Sequence, residues 1–162
     1  APASVANRGR HALFLDPGGA LFGALRSDSG DPPDAEVPIG GFIWVDLFAR
    51  DVEAMADFYS QLAPYTEERR EVTNGIYRTM LIAHDYPRAG IVPVDEEANR
   101  SAWVPYVRVA DVEATLEKVV AGGGFAIVPP DPQLLDGNLA VFVDPHGGVT
   151  GIVRWNYEGD GS

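Results

Sequence analysis

Residues 42–62 read FIWVDLFARDVEAMADFYSQL and residues 102–122 read AWVPYVRVADVEATLEKVVAG. Each passes from a run of β-branched and aromatic residues into the same tetrapeptide, Asp-Val-Glu-Ala, which starts at Asp51 and again sixty residues later at Asp111. Each then continues with apolar residues at helical spacing, so the pattern is a strand feeding a helix, twice over. Val52, Met55, Tyr59 and Leu62 are the expected inner stripe of the first helix, and Val112, Leu116, Val119 and Val120 that of the second. Asp51 and Asp111 suit N-caps, because a short carboxylate can accept hydrogen bonds from first-turn amides that have no helical partner. The second helix should stop at Gly122-Gly123-Gly124, where glycine enters the left-handed region at little cost, and the first near Pro64.

After each helix the pattern turns to strands. Thr66 to Val72 and Ile76 to Ala83 flank Thr73-Asn74-Gly75, a hairpin signal, and Ala89 to Val94 follows. In the second copy, Phe125 to Val128, Leu139 to Val143 and Val149 to Trp155 are separated by a Pro/Asp/Gly loop at 129–138 and the turn Asp144-Pro145-His146-Gly147-Gly148. Each module therefore reads strand, helix, three strands. A partial third copy opens the chain. Setting residues 9–26 against 137–154 without a gap matches Asp16-Pro17 to Asp144-Pro145, Phe14 to Phe142, Gly19 to Gly147, Gly23 to Gly151 and Arg26 to Arg154. Residues 1–29 are read as the closing hairpin of a preceding module, 30–38 as a polar, Pro-rich linker, and 39–162 as a domain of two modules, 39–97 and 98–157. On that reading the chain is the C-terminal part of a longer one. A decorated N-terminal hairpin that pairs with the domain or with a second subunit is the alternative.

Composition narrows the function classes. The chain has 162 residues, 46% hydrophobic and 22% charged, and no apolar run that approaches a membrane span. Twelve Lys and Arg stand against 24 Asp and Glu, a formal charge of −12, which repels phosphate backbones and anionic lipid, so no nucleic acid and no membrane is expected as a partner. The absence of cysteine removes disulfides, thiol nucleophiles and thiolate metal sites. The first residues, APASVANRGR, carry no signal-peptide core, and a cytoplasmic location is expected. No GxSxG, Walker-type or HExxH pattern occurs. His11, His84 and His146 are expected in or beside turns, facing solvent, and Glu67, Glu68, Glu71 and Asp95-Glu96-Glu97 on solvated faces or loop ends.

Two tandem modules with an Asp-Val-Glu-Ala helix start and an Asp-Pro-x-Gly hairpin resemble the vicinal oxygen chelate superfamily, the group of glyoxalase I, bleomycin-resistance proteins and extradiol dioxygenases. The residues that carry the resemblance are Trp44-Val45-Asp46-Leu47, Asp51 to Ala54 and Phe58-Tyr59 in module one. In module two they are Val104, Asp111 to Ala114, Gly122 to Gly124 and Phe142 to Gly148. The resemblance implies an α+β fold: paired βαβββ modules forming an eight-stranded, open, U-shaped sheet with helices outside. It also implies metal ligands on the first and last strands of each module. Those positions here are Trp44, Gly90, Val104 and Gly151, none with a donor side chain, so no metal and no cofactor is expected. The pattern is most similar to metal-free tandem-domain glyoxalase-like proteins, which share a metal-free cleft with bleomycin-resistance proteins.

Strand alternation suggests what lines such a cleft. Trp44, Asp46 and Phe48 should share one face of the first strand, and Tyr106 and Arg108 the equivalent face of its counterpart, with Val107 and Val109 left to the core. Trp44, Phe48 and Tyr106, with Asp46 and Arg108 supplying opposite charges, suit a planar or amphipathic organic molecule. Each of these residues also has a purely structural reading, as core aromatic or internal ion pair. Three functions follow in order of preference. The first is metal-independent small-molecule binding. The second is a lyase- or hydrolase-type enzyme with an unconventional site and Asp46 as candidate base, which leaves enzymatic activity open. The third is a non-catalytic dimerising module with a filled cleft. A homodimer, or pairing with the missing N-terminal half, is the expected association.

Overall fold

The structure, a computed structural model, describes residues 2–30, 32–73, 75–95 and 100–157. Its fold is α+β. The orphan hairpin exists as a small antiparallel sheet, β1 (Ala3–Val5), β2 (Gly9–Leu15) and β3 (Leu21–Ser27), in the order β1-β2-β3. Module one supplies β4 (Phe42–Ala49), α1 (Val52–Leu62), β5 (Thr66–Thr73), β6 (Ile76–Ala83) and β7 (Tyr86–Pro93). Module two supplies β8 (Ala102–Arg108), α2 (Val112–Ala121), β9 (Phe125–Val128), β10 (Leu139–Val143) and β11 (Val149–Val153). These eight strands form one mixed sheet in the order β5-β6-β7-β4-β8-β11-β10-β9, which does not close into a barrel. Read outward from β4 and β8, the two halves have the same order of first, fourth, third and second strand, as two copies of one βαβββ unit require.

The caps form as the carboxylates dictate: Asp51 Oδ1 accepts from Ala54 N at 2.9 Å and Asp111 Oδ1 from Ala114 N at 2.8 Å. Gly123, at φ +90°, makes the left-handed exit from α2. Two expected stripe residues turn outward, because Ala56 joins Met55 and Tyr59 on the buried side of α1 and leaves Leu62 exposed, while Val120 is exposed on α2. Strand β7 starts three residues earlier than expected. His84 and Asp85, at φ +53° and +64°, make a two-residue turn whose twist matches the hairpin, so pairing begins at Ala83 with Tyr86. Asn74, Glu96 and Glu97, which carried expectations, lie outside the described residues, whereas Gly75 on the far side of its turn takes φ +82°.

The chain divides into two compact units that each draw on both modules. Unit one comprises Ala1–Ala35, Leu47–Arg69 and Thr79–Trp103, and unit two Glu36–Asp46, Arg70–Arg78 and Val104–Ser162. In unit one the hairpin packs against α1 through an aromatic chain: Phe14 stacks on Phe22, and Phe22 meets Phe58 and Tyr59 edge-on. The Tyr59 hydroxyl donates to Asp16 Oδ2 at 2.9 Å and accepts from Trp103 Nε1 at 3.0 Å. The repeat is visible in the turns. Asp16 N bonds Ala20 O and Gly19 N bonds Asp16 O, just as Asp144 N bonds Gly148 O and Gly147 N bonds Asp144 O in unit two. Ala3–Val5 pairs with β2, in which His11 lies opposite Ala3. The linker segment is tied to β7 by a two-pronged ion pair from Arg88 to Asp34 at 2.6 and 3.0 Å. In unit two, Val112 of α2 packs with Ala140 and Ile152, ringed by Val107, Val109, Leu116 and Phe142, so Val107 and Val109 do belong to the helix side of the sheet.

Candidate functional site

Strand β4 is held to β8 at one end by Gly40 N to Arg108 O and Arg108 N to Gly41 O, at 2.8 and 2.9 Å. Strand β11 runs parallel to β8 with Gly151 opposite Tyr106. This register gathers Trp44, Asp46, Arg78 and Tyr106 of unit two into one polar cluster. Asp46 has no exposed surface and Tyr106 is 2% exposed. A buried carboxylate needs partners to remain inside, and Asp46 has them: Trp44 Nε1 donates to Oδ1 at 2.8 Å and Arg78 donates to Oδ2 at 3.0 Å. Tyr106 completes the set with a hydrogen bond to the same carboxylate. Burial pushes the Asp46 carboxyl above the usual carboxylate range, opposed first by the Arg78 charge and then by the hydrogen bonds of Trp44 and Tyr106. The Tyr106 phenol is raised as well, by burial first and then by the neighbouring Asp46 charge, and stays protonated.

The partner of Asp46 comes from β6. The internal ion pair that the structural reading allowed between Asp46 and Arg108 does not form: the guanidinium on Asp46 is that of Arg78. Arg108 donates from Nε to Trp155 O and from a terminal nitrogen to Val37 O, both at 2.8 Å, with the Tyr157 ring 4.7 Å from its guanidinium carbon. Arg78 is the residue that sequence reasoning missed. Its signal was a lone cation in the otherwise apolar strand Ile76–Ala83, where a charge that alternates inward demands a counter-ion. Its side chain is 20% exposed, its guanidinium lies 5.9 Å from the Trp44 ring centroid, and its Nε is buried without a hydrogen-bond partner. Trp44 is partly buried on the same face. Phe48, on the unit-one part of β4, is also partly buried.

A metal fits poorly in this setting. In unit two, Trp44, Val104 and Gly151 occupy positions at which the resemblance implies ligands, and none has a donor atom in its side chain. A Cβ built on Gly151 would run into the ring of Tyr106, so the space of a side chain there is taken. Gly90 of β7, in unit one, likewise has no side chain. Among the described residues, no group of three or more His, Asp or Glu side chains is placed to hold a metal ion.

A family model for the glyoxalase-like domain matches residues 42–153, from the start of β4 to the end of β11. The chain belongs to the glyoxalase-like domain family. This glyoxalase-like chain thereby has the place in the vicinal oxygen chelate superfamily that its paired modules resemble. It is similar to the anthracycline biosynthesis protein DauV of Streptomyces sp. (strain C5), 31% identical over 158 residues, covering 94% of this chain and 55% of that protein. The anthracycline biosynthesis protein DnrV of Streptomyces peucetius matches with the same identity and coverage. The chain thus spans about half the length of the curated relatives it matches. Among solved structures, methylmalonyl-CoA epimerase of Streptomyces coelicolor shares the fold, with a TM-score of 0.50 over 74% of this chain and all of that chain, at 14% identity. No helix among the described residues is long and apolar enough to cross a membrane.

Proposed function

We propose that this glyoxalase-like domain binds a planar organic molecule against Trp44 and Arg78 without the help of a metal ion. The observation that carries the reading is the way Asp46 is used. Fully buried, with one oxygen on Trp44 and the other on Arg78, it holds an indole and a guanidinium side by side and leaves both partly exposed. An indole face takes a flat ring, and the exposed part of the Arg78 side chain meets a carbonyl, phenolate or carboxylate oxygen at the edge of that ring. The missing donors at positions 44, 104 and 151, together with the Tyr106 ring over Gly151, favour recognition by stacking and charge over metal coordination. Two relatives named for anthracycline biosynthesis add support, because anthracyclines are flat polycycles with oxygen-bearing edges. With both its oxygens engaged, Asp46 serves better as counter-ion to Arg78 than as a base.

The test is a tryptophan-fluorescence titration with 9,10-anthraquinone-2-carboxylate, a flat probe with an acceptor edge. Saturable quenching that EDTA leaves unchanged is expected, with the Trp44 contribution removed in Trp44→Phe. Arg78→Lys keeps the charge but loses the fork, and should weaken binding about tenfold, equivalent to roughly 1.4 kcal/mol. Absence of saturable binding, or its loss on chelation, would overturn the reading.

A further inference from the structure

An open surface cavity of about 240 Å³ in unit two is lined by Leu135, Asp136, Asn138, Arg154, Trp155 and Asn156, none of them in the Asp46 cluster. We infer that it is a binding site for a neutral, polyhydroxylated ring, that is, a sugar or a sugar-like part of a larger molecule.

Backbone conformation is the first support. Leu135, Asp136 and Gly137 are left-handed in succession, at φ +49°, +53° and +80°. Glycine adopts this region freely and aspartate tolerates it, but a leucine there costs on the order of 1–2 kcal/mol. Burial does not offset that cost, since Leu135 is 46% exposed. A strained residue whose side chain gains nothing from the core is the kind that accompanies a site.

Trp155 is the second support. It is 48% exposed at the end of β11, where a large indole has no core to fill. Its segment is nevertheless fixed. Arg108 donates to its carbonyl oxygen, and Val37 N donates to the Tyr157 hydroxyl at 3.0 Å. The opposite wall is tied to this one by Arg154 N to Asn138 O at 2.9 Å. Arg108, expected to touch ligand in the cleft, is here a positioning residue for Trp155. Walls held in advance lose less freedom when a ligand enters.

The chemistry of the lining selects the ligand. Trp155 and Leu135 offer an apolar surface suited to the C–H face of a saturated ring. Asn138 and Asn156 each both donate and accept, Asp136 accepts, and Arg154 donates, which together match a ring edge of hydroxyls that are donor and acceptor at once. A carboxylate or phosphate would meet Asp136 and the field of a chain with net charge −12, whereas a cation would meet Arg154. A flat aromatic acid would use Trp155 and leave the amides unmatched.

Saturation-transfer difference NMR on the full chain tests this with three probes: methyl α-D-glucopyranoside, methyl α-D-mannopyranoside and methyl α-L-rhamnopyranoside. Transfer to the ring C–H protons of at least one is expected, reduced at least fivefold in Trp155→Ala and partly restored in Trp155→Tyr. The Trp155 contact that holds the segment is its backbone carbonyl, which these variants keep. Trp44→Phe should leave the signal intact, so failure of the planar-ligand reading and failure of this one are separately visible. No transfer from any of the three glycosides, equal transfer in Trp155→Ala, or loss in Trp44→Phe would overturn the inference. So would binding of 9,10-anthraquinone-2-carboxylate at Trp155 in place of the glycosides.

Discussion

Asp46 is fully buried and accepts from three donors, Trp44, Arg78 and Tyr106, which makes its replacement informative. An asparagine offers one acceptor oxygen where three donors converge, so Asp46→Asn should leave Trp44 Nε1 or Arg78 facing an amide nitrogen and cost about 2 kcal/mol. The paired change Asp46→Leu with Arg78→Met should cost less than the sum of the two single changes, since it removes the charges together. Urea midpoints of Asp46→Asn, of the two single changes and of their combination decide both points. The pH profile of the parent provides a sign. Burial raises the Asp46 carboxyl above its unfolded value of about 3.9, so the folded state binds the proton more tightly. That contribution is complete below the unfolded value and disappears as pH rises through the raised folded value. Asp46→Asn should lack this part of the slope. At this scale the sequence was legible where alternation rules: Trp44 and Asp46, two residues apart on β4, do share a face. The cation that completes the group was not, because Arg78 is 32 residues from Asp46 and only the strand order β6-β7-β4 brings β6 near.

Elements bounded by strong local chemistry were the easiest to foresee. Both helices start at their aspartates, β9 and β10 keep their expected limits between Pro/Gly turns, and the closing turn of the hairpin repeats at Asp16 and Asp144. Elements set by tertiary pairing escaped, among them β1, whose three residues gain a strand only by lying along β2, and the early start of β7, set by two non-glycine residues with positive φ. The contact between β8 and β11 yields a prediction at this scale. Gly151→Ala places a methyl group on the Tyr106 ring and should cost about 1–3 kcal/mol, whereas Gly23→Ala, the matching site of the hairpin, meets Leu13 Cδ2 at 3.4 Å and Ala12 O at 3.8 Å and should be close to neutral. Thermal melts of the two variants side by side would show the asymmetry, and equal melting temperatures would refute it.

For the molecule as a whole, Tyr59 joins the hairpin to α1. Tyr59→Phe removes the donor to Asp16 Oδ2 and the acceptor for Trp103 Nε1 in a buried setting, at an expected cost of about 1–3 kcal/mol. Hydrogen exchange should then speed up in β2 and β3 and stay unchanged in α2, while uniform acceleration would mean that the hairpin is no separate tether. The hairpin's other residues, Leu13, Leu15, Leu21 and Leu25, remain exposed. The family, the paired modules and the repeat of the hairpin could all be read in one dimension because duplication leaves its copies at a fixed distance. The grouping of Arg78 with Trp44 and Asp46 could not, since it depends on which side chains distant strands bring together. Position 151 also constrains how such a chain can change. A glutamate there cannot arise as a single tolerated step, because Tyr106 already fills its volume. Residue 106 would have to shrink first, and that change uncovers Asp46. The order of substitutions is therefore prescribed by packing.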